Sequence, residues 1–472
     1  MPHPSDPLRT FPVDQFGAVP NAPAPATACI QRAIDAAATA GGGAVTFAPG
    51  VYLTGALFLK TGVEFRVGQG VELRAIQRDD AFPEIWTRVA GIEMAWPAAL
   101  INVCEQHDVS ITGGGTINGR GEFWWDKFWG PDERGGMLRD YEARGLRWAV
   151  DYDCRRPRLL LVYRSRDVTL RDLTLKRSGF WTVHVCFSTH VTIDGITIRE
   201  NLGPSSDGID IDSSSDVRVE NCDVDCNDDA ICLKAGRDAD GLRVNRPTER
   251  VVVRNCIVRT GHGLFTIGSE TSGGVRDVEV SNLKAVGTWI GFSFKSARTR
   301  GGVIERISIH DIEMVGVPRP FRFTLNWLPT YSYPTLPPNW TDPVPAHWQR
   351  LLEPVVPPER GLPEFRDISF ARIVSRAAAP GEFDRVLSSS VAMHTPDPLA
   401  SVALDIEAYP EKPMHDIQWR DVRIEAERAG MIQHARRWTM RNVELVTNQP
   451  VPLERVDCTD VEQPNMTALG RT

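Results

Sequence analysis

Eight short segments with one apolar pattern recur along most of the chain. Apolar residues hold the first, third, sixth and usually the eighth place of each octet. The first six octets begin 23, 26, 34, 27 and 29 residues apart. A unit repeated every roughly 20 to 50 residues is typical of a solenoid, in which each unit stacks on the one before it. The octets are 168–175, 191–198, 217–224, 251–258, 278–285, 307–314, 368–375 and 417–424.

The alternation inside each octet predicts β-strands. Apolar places lie two residues apart, and the phase shifts in the middle, which indicates a bend between two short strands. A helix is not favoured, because the 3.6-residue period is missing and β-branched residues dominate. We therefore predict an all-β fold, a parallel β-helix whose coils stack about 4.8 Å apart. Equivalent side chains should then form ladders, with Val191 beside Val217 and Cys222 beside Cys256.

The repeats also decide the number of domains. A length of 472 residues allows two or three ordinary domains, but the coils predict a single domain over residues 1–472. Residues 11–60 are predicted to hold a helical cap and the first coils, because the open end of a β-helix exposes apolar core. The helix should run over 27–40, with Thr27 as its N-cap and glycines 41–43 after its end. Its apolar face comprises Cys29, Ile30, Ala33, Ile34 and Ala37.

Two stretches interrupt the rhythm and are predicted to be long loops on one flank. They cover residues 119–149 and 324–363 and hold seven of the 13 tryptophans. For each tryptophan alone, packing of the loop is the favoured interpretation. As a group they also fit a surface on which sugar rings stack.

Composition narrows the classes of function. Charged residues make up 24% and hydrophobic residues 42% of the chain, which is ordinary for a globular protein. No apolar run reaches the ~18–20 residues of a membrane span, so we expect a soluble protein with no membrane partner. The 61 acidic and 53 basic residues disfavour a nucleic-acid partner. The nine cysteines lack zinc-type pairing, so we expect buried free thiols, no metal and no cofactor.

The beginning of the chain leaves the compartment open. The first 20 residues contain no apolar region of the kind that a secretory signal has. The sequence is compatible with a protein that works inside the cell and with an exported protein whose signal has been removed.

Acidic residues concentrate between the central octets. Asp207 precedes Asp228 and Asp229 by about one coil, His262 follows by another, and Lys295 comes one coil later. Residues one coil apart lie side by side in a solenoid, so these five should form a column on one face. Adjacent carboxylates raise each other's proton affinity, which suits glycoside hydrolysis by one protonated and one ionised carboxyl group. Metal binding and turn aspartates that accept from backbone amides are the alternatives.

At these residues the chain resembles glycoside hydrolase family 28, the polygalacturonase-like enzymes. The motifs of that family are N-T-D, D-D, G-H-G and R-I-K, in this order. Residues 205–207 (SSD) keep the Asp of the first, 228–229 match the second, 261–263 match the third, and 293–295 (SFK) keep the Lys of the fourth but not the Arg. The likeness extends to about residue 315 and includes segments similar to bacterial members, at 13–19, 234–241, 267–275 and 298–305.

The resemblance implies a right-handed parallel β-helix that hydrolyses α-linked, galacturonate-containing pectic poly- or oligosaccharides with inversion. It implies Asp228 as the general acid, and Asp207 and Asp229 as the groups that hold and deprotonate the attacking water. His262 would tune the protonation of the acid. Lys295 would meet a substrate carboxylate or pair with the aspartates.

The serine at 293 predicts a shifted specificity, because Arg binds a carboxylate with two hydrogen bonds and Ser cannot. Flanking loops that close the cleft would make the enzyme exo-acting on oligosaccharides, including rhamnogalacturonan-type fragments. Two rival functions are a pectate-lyase-like β-helix enzyme and a non-catalytic glycan-binding β-helix, although a pure binder has no reason to assemble the acidic set. Further substrate contacts are expected from Arg237, Arg298, Arg300, Glu270, Tyr331 and Tyr333.

Overall fold

Each octet turns a corner at its fifth residue. In the computed structural model, which describes residues 9–379, 382, 401–448 and 451–468, this residue has a left-handed backbone in all eight octets, with φ between 51° and 65°. The position holds Asp, Asn or Gly in seven of them, the residues that adopt this conformation at least cost. The predicted bend is confirmed, although from octet 278–285 onward the hydrogen-bonded strand continues through it.

The described strands are β1 (Thr10–Pro12), β2 (Gly43–Thr46), β3 (Gly50–Thr54), β4 (Leu57–Leu59), β5 (Val63–Arg66), β6 (Val71–Ala75), β7 (Glu84–Val89), β8 (Ile92–Pro97), β9 (Ile101–Cys104), β10 (His107–Thr112), β11 (Thr116–Asn118), β12 (Leu160–Tyr163), β13 (Arg166–Arg171), β14 (Thr174–Lys176), β15 (Val183–Cys186), β16 (Thr189–Asp194), β17 (Thr197–Asn201), β18 (Ile209–Asp212), β19 (Ser215–Glu220), β20 (Asp223–Cys226), β21 (Asp229–Lys234), β22 (Thr248–Arg254), β23 (Ile257–Val258) and β24 (Gly263–Ile267). They continue with β25 (Val275–Val286), β26 (Ile290–Lys295), β27 (Val303–Val315), β28 (Arg319–Thr324), β29 (Glu364–Arg376), β30 (Val402–Glu407), β31 (Met414–Ala426), β32 (Arg428–Gln433), β33 (Ala435–Thr447), β34 (Glu454–Val456), β35 (Thr459–Val461) and β36 (Asn465–Ala468).

The described helices are α1 (Thr27–Thr39), α2 (Glu122–Trp129), α3 (Gly136–Ala143), α4 (Val150–Asp153), α5 (Asp238–Val244), α6 (Pro329–Ser332) and α7 (Ala346–Leu352). Short 3-10 helices cover Val13–Phe16, Asp79–Ala81 and Pro358–Gly361.

The strands form three parallel faces around one core. The first halves of the octets make the first face, which runs from β1 and β2 through β13, β16 and β19 to β33. The second halves make a second face, from β3 through β14 and β17 to β36. The third face pairs β4, β9, β12, β15, β18, β21, β24, β26, β28, β30, β32 and β34 in sequence order. The chain is therefore a parallel β-helix, as predicted.

The predicted ladders are present in the core. Val191 is the register partner of Val217 on the next coil, and the thiols of Cys222 and Cys256 are buried and donate to the backbone carbonyls of Glu220 and Arg254. All nine cysteines are free thiols. The predicted burial is confirmed for six of them, whereas Cys29, Cys104 and Cys458 are half-buried. Inward side chains of all three faces meet in one apolar cluster that extends from the first coils to the last.

Helix α1 packs on the first coils. Its buried residues are Ile30, Ala33, Ile34 and Ala37, which match the predicted face except for the half-buried Cys29. Thr27 is the first helical residue and not the N-cap, which is Ala26. The Thr27 hydroxyl instead accepts a hydrogen bond from the backbone amide of Gly55 at 2.8 Å. The predicted domain bounds, 1 and 472, lie outside the described residues.

The two predicted loop insertions contain short helices. The stretch 119–149 contains α2 and α3, and the stretch 324–363 contains α6 and α7. Their tryptophans pack the insertions down: Trp148 lies edge-to-face against Trp348, with ring centroids 5.0 Å apart. The interpretation of individual tryptophans as packing residues is confirmed for Trp124, Trp125, Trp129, Trp148 and Trp348, all buried.

A hairpin that the sequence pattern did not predict joins these insertions. Strands β7 and β8 pair antiparallel, and the Tyr152 hydroxyl donates to the carbonyl of Ala90 at their turn, 2.8 Å away. On the outer side of the third face the hairpin residue Arg88 donates to Asp212, at 2.9 Å. The hairpin thus covers the third face up to β18.

No helix in the described ranges is long and apolar enough to span a bilayer.

Candidate active site

A cavity of about 580 Å³ lies on the outer side of the third face, directly beyond the hairpin. Strands β21, β26 and β28 contribute residues to its floor, and His262 and Glu270 flank β24 between them. The hairpin turn and both insertions supply walls through Ala90, Arg147, Asp151, Trp327, Leu328 and Tyr331. All five residues of the predicted column line it: Asp207, Asp228, Asp229, His262 and Lys295.

Asp229 is the most firmly held of the three carboxylates. Its side chain accepts from the Lys295 ammonium at 2.6 Å and from the Thr266 hydroxyl at 2.8 Å, and His262 Nδ1 lies 3.6 Å away. Burial acts to raise the pKa of Asp229, but Lys295 and His262 outweigh it and hold the pKa below its usual range. Asp229 is therefore ionised at neutral pH.

Asp207 has the opposite character. It is buried, and among the described residues the nearest cation is the Lys234 ammonium, 3.9 Å from its carboxylate. Burial and the nearby carboxylates of Asp210 and Asp228 raise the pKa of Asp207 well above its usual range. Asp207 and Asp229 thus face the same cavity with opposed pKa shifts, upward for Asp207 and downward for Asp229.

Asp228 is the most accessible of the three, since it is only half-buried. One of its carboxylate oxygens accepts from the backbone amide of Asp229 at 2.9 Å. Its backbone carbonyl accepts from the amide of His262 at 3.0 Å, which fixes the two coils against each other. A bulky group entering the cavity therefore reaches Asp228 before the other two carboxylates.

Lys234 is a site residue that the sequence reasoning did not single out. Its ammonium lies 3.4 Å from Glu270, 3.6 Å from Asp210 and 3.9 Å from Asp207. Burial opposes the charge, but the surrounding acidic groups raise the pKa of Lys234 well above its usual range. The alternation of β21 could have identified it, because Ile231 and Leu233 point into the core and Lys234 therefore points outward.

Three of the predicted substrate contacts reach the cavity and four do not. Glu270, Tyr331 and Lys295 line it. Arg237 instead donates to Tyr152 and to the backbone of Tyr331. Arg300 pairs with Asp238, and Arg298 pairs with Glu411. Tyr333 is hydrogen-bonded to Asn326. These four support the wall or the outer surface, and their placement gives no support to direct contact with substrate.

Other lining residues come from parts of the chain without a motif. They are Arg147, Phe180, Trp181, Arg322 and Trp327. Of the seven tryptophans in the two insertions, Trp327 alone lines the cavity, so the predicted stacking wall is reduced to Trp327 and to Trp181, which lies outside the insertions.

Two sets of side chains have spacing suited to a metal ion: Asp228, Asp229 and His262, and His184, Cys186 and Asp212. In the first, the Lys295 ammonium already neutralises Asp229. In the second, the Arg88 guanidinium lies 2.9 Å from Asp212 and already neutralises it. Both arrangements favour ion pairs over a bound cation.

Comparisons with known proteins agree with this geometry. An exopolygalacturonase from Thermotoga maritima superimposes with a TM-score of 0.73 over 93% of each chain, at 24% identity. That likeness confirms the right-handed parallel β-helix. A Vitis vinifera protein named "Probable polygalacturonase" is 30% identical over 66% of this chain and 62% of its own length. An exo-poly-α-D-galacturonosidase from Dickeya chrysanthemi is 25% identical over 61% of this chain and 52% of its own.

The fold and the cavity thus define a β-helix with a carboxylate-lined pocket. The profile of glycosyl hydrolases family 28 matches residues 86–332, more than half of the chain, and the chain belongs to that family. The matched part spans about half to two thirds of the length of the two curated relatives.

Proposed function

We propose that the protein is an inverting glycoside hydrolase that cleaves α-linked galacturonate in pectic oligosaccharides. The observation that carries the proposal is the cavity itself, in which a family 28 chain brings Asp207, Asp228 and Asp229 together beside His262 and Lys295. The curated relatives named as polygalacturonases support the substrate class.

Asp228 is proposed as the general acid, because it is the carboxyl group that a glycosidic oxygen can reach. Asp229, ionised by Lys295, accepts a proton from the attacking water, and Asp207 holds that water. As the water oxygen bonds to the anomeric carbon, the glycosidic bond breaks and the leaving oxygen takes the proton of Asp228. A single displacement of this kind inverts the anomeric configuration.

His262 is proposed to adjust the protonation of the acid, since one of its ring nitrogens and one oxygen each of Asp228 and Asp229 lie within 4.8 Å of one another. Lys295 is proposed to act chiefly as the partner of Asp229, because the 2.6 Å ion pair occupies its ammonium. Glu270 and Tyr331 are the other predicted substrate contacts that face the cavity.

We further propose that cleavage is exo-acting. In this proposal the hairpin turn and both insertions, which line the cavity through Ala90, Arg147 and Tyr331, close its side toward the N-terminal coils, and a chain enters from the opposite side. A long polymer cannot then lie across the acids with sugars on both sides, and the enzyme removes units from one end.

Defined oligogalacturonates and rhamnogalacturonan fragments, followed by NMR of the fresh product, test the proposal. We expect monomer release from homogalacturonan fragments with an inverted anomer. A retained anomer would contradict the mechanism, an unsaturated product would indicate a lyase, and fragments of mixed length from the first turnover would contradict exo-action.

Asp228→Asn should lower kcat by roughly 10²- to 10⁴-fold, because it removes the proton that the leaving oxygen needs. The circular dichroism spectrum and melting temperature should stay close to those of the wild type, since Asp228 is only half-buried. Asp225→Asn, a carboxylate on β20 with its partner Thr260 outside the cavity, is the matched control and should keep full activity.

A further inference from the structure

At one position of the cavity floor this chain has a serine where the family motif has an arginine. This residue, Ser293, lies on the outer side of β26 and is buried. Its register partner on the next coil is Arg322 of β28. Neighbouring strands are about 4.8 Å apart, and an extended arginine side chain is longer than that. The Arg322 guanidinium can therefore lie over Ser293, because the serine side chain is too short to obstruct it.

The other cations of the cavity are already neutralised. Lys295 lies 2.6 Å from Asp229, and Arg147 lies 2.6 Å from Asp151. Lys234 is surrounded by three acidic groups, as described above. A substrate carboxylate that approached one of these three would have to displace a buried carboxylate from it, which costs free energy.

Arg322 is the least engaged of the cavity cations. Its closest carboxylate in the described ranges is Asp405, 3.4 Å from Nε, and the side chains are 27% and 41% exposed. A pair this exposed is weak, and no described residue accepts a hydrogen bond from the Arg322 guanidinium. The planar guanidinium is suited to a carboxylate, which it binds with two parallel hydrogen bonds.

We infer that Arg322 supplies, from one coil further on, the guanidinium that the family motif places at residue 293, and that it binds the carboxylate of a uronate unit on the open side of the cleavage point. The inference rests on the proposed function, and it identifies Arg322 as the residue that determines specificity for a uronate. The substrate then extends from the wall at Tyr331, past the three aspartates, to Arg322.

Arg322→Gln tests the inference on trigalacturonate and on its fully methyl-esterified form. We expect the KM for the free acid to rise roughly 10- to 100-fold, as for a lost charge-assisted hydrogen bond, with kcat changed less than about threefold. The KM for the ester should not change, so the preference of the wild type for the free acid disappears. Arg306→Gln, an exposed arginine paired with Asp277 outside the cavity, is the control and should behave as wild type.

Two further variants separate substrate binding from a structural role. Asp405→Asn frees the guanidinium and should keep or lower the KM for the free acid, whereas a purely structural Arg322–Asp405 pair would make Asp405→Asn resemble Arg322→Gln. The exchange Ser293→Arg with Arg322→Ser returns the arginine to the family position and should restore the preference for the free acid. An unchanged preference in Arg322→Gln overturns the inference.

Binding measurements distinguish failure of the inference from failure of the proposed function. Calorimetry of Asp228→Asn with unhydrolysed trigalacturonate reports affinity without turnover. If the wild type hydrolyses no galacturonide, the proposed function fails. A 10- to 100-fold weaker binding after adding Arg322→Gln to Asp228→Asn would still support uronate recognition, and equal binding would overturn it.

Discussion

Two ion pairs of nearly equal length differ strongly in their exposure to solvent. Lys295 lies 2.6 Å from Asp229 across the third face, and Arg306 lies 2.7 Å from Asp277 across the first. The side chains of the former are 8% and 1% exposed, and those of the latter 44% and 40%. In water the attraction is largely screened, whereas in the cavity each charge would be costly without the other. The comparison shows that burial, and not distance, decides what a pair does here.

The two faces use the same register for different purposes. The outer side of the first face carries exposed pairs between successive coils, such as Arg250 with Asp216 and Arg437 with Asp416. The outer side of the third face is covered by the hairpin and the insertions, and its charges become the site. Stacking of the coils aligns charged residues on both faces. Only on the third face do the hairpin and the insertions bury these residues in a cavity.

The largest effect is expected from Lys295→Met. Removing the ammonium leaves Asp229 as an unpaired buried carboxylate, which costs roughly 3–5 kcal/mol of unfolding free energy. The same change removes the main cause that keeps Asp229 ionised, so activity at neutral pH should fall with it. Denaturant unfolding and kcat measure the two effects, with Arg306→Met as the matched control on the exposed pair. A loss equal to that of Arg306→Met would contradict the contrast between the faces.

A smaller effect of opposite sign is expected from Asp207→Asn. A carboxyl group whose pKa rises on folding lowers stability as the pH rises above its unfolded value of about 3.9, because the unfolded state then releases a proton that the folded state keeps. The variant should therefore be more stable than the wild type at pH 7, by about 0.5–2 kcal/mol, and the difference should vanish near pH 3. Activity should be lost. Unfolding curves across this pH range would reject the assignment if the variant were less stable at pH 7.

The smallest effect is expected from Arg306→Met itself. An exposed pair contributes about 0–1 kcal/mol, and the contribution should shrink further in 0.5–1 M salt, since the Debye length is then only a few Å. Activity should not change. Melting temperatures at low and high salt provide the measurement, and a loss above about 2 kcal/mol would mean that the exposed rows hold the coils together.

Much of the fold could be predicted because its information is local. Period-two alternation and a left-handed corner at the fifth place of each octet are visible within eight residues, and the coil spacing alone brings Asp207, Asp229 and His262 together. The short helices inside the two insertions were not predicted. In residues 122–129 the buried positions Trp124, Trp125, Phe128 and Trp129 do follow helical spacing, but eight residues of this spacing are too few to distinguish a helix from a packed loop.

The parts of the site that escaped prediction depend on contacts distant in sequence. Arg237 and Arg300 were expected at the substrate because they are arginines near the motifs, yet the insertions cover them and Asp238 pairs with both. Arg322 lies in a strand of the third face outside the octets, and its relation to Ser293 appears only once the register of β26 and β28 is known.

The stacking register also determines how long synthesis of the complete site takes. Asp207 and Arg322 are 115 positions apart in the sequence, yet they face one cavity. At roughly 5–20 residues per second, a ribosome needs on the order of ten seconds to synthesise the stretch between them. Asp207 is therefore synthesised several seconds before Arg322, and the complete site can form only after the coil that carries Arg322 has been added.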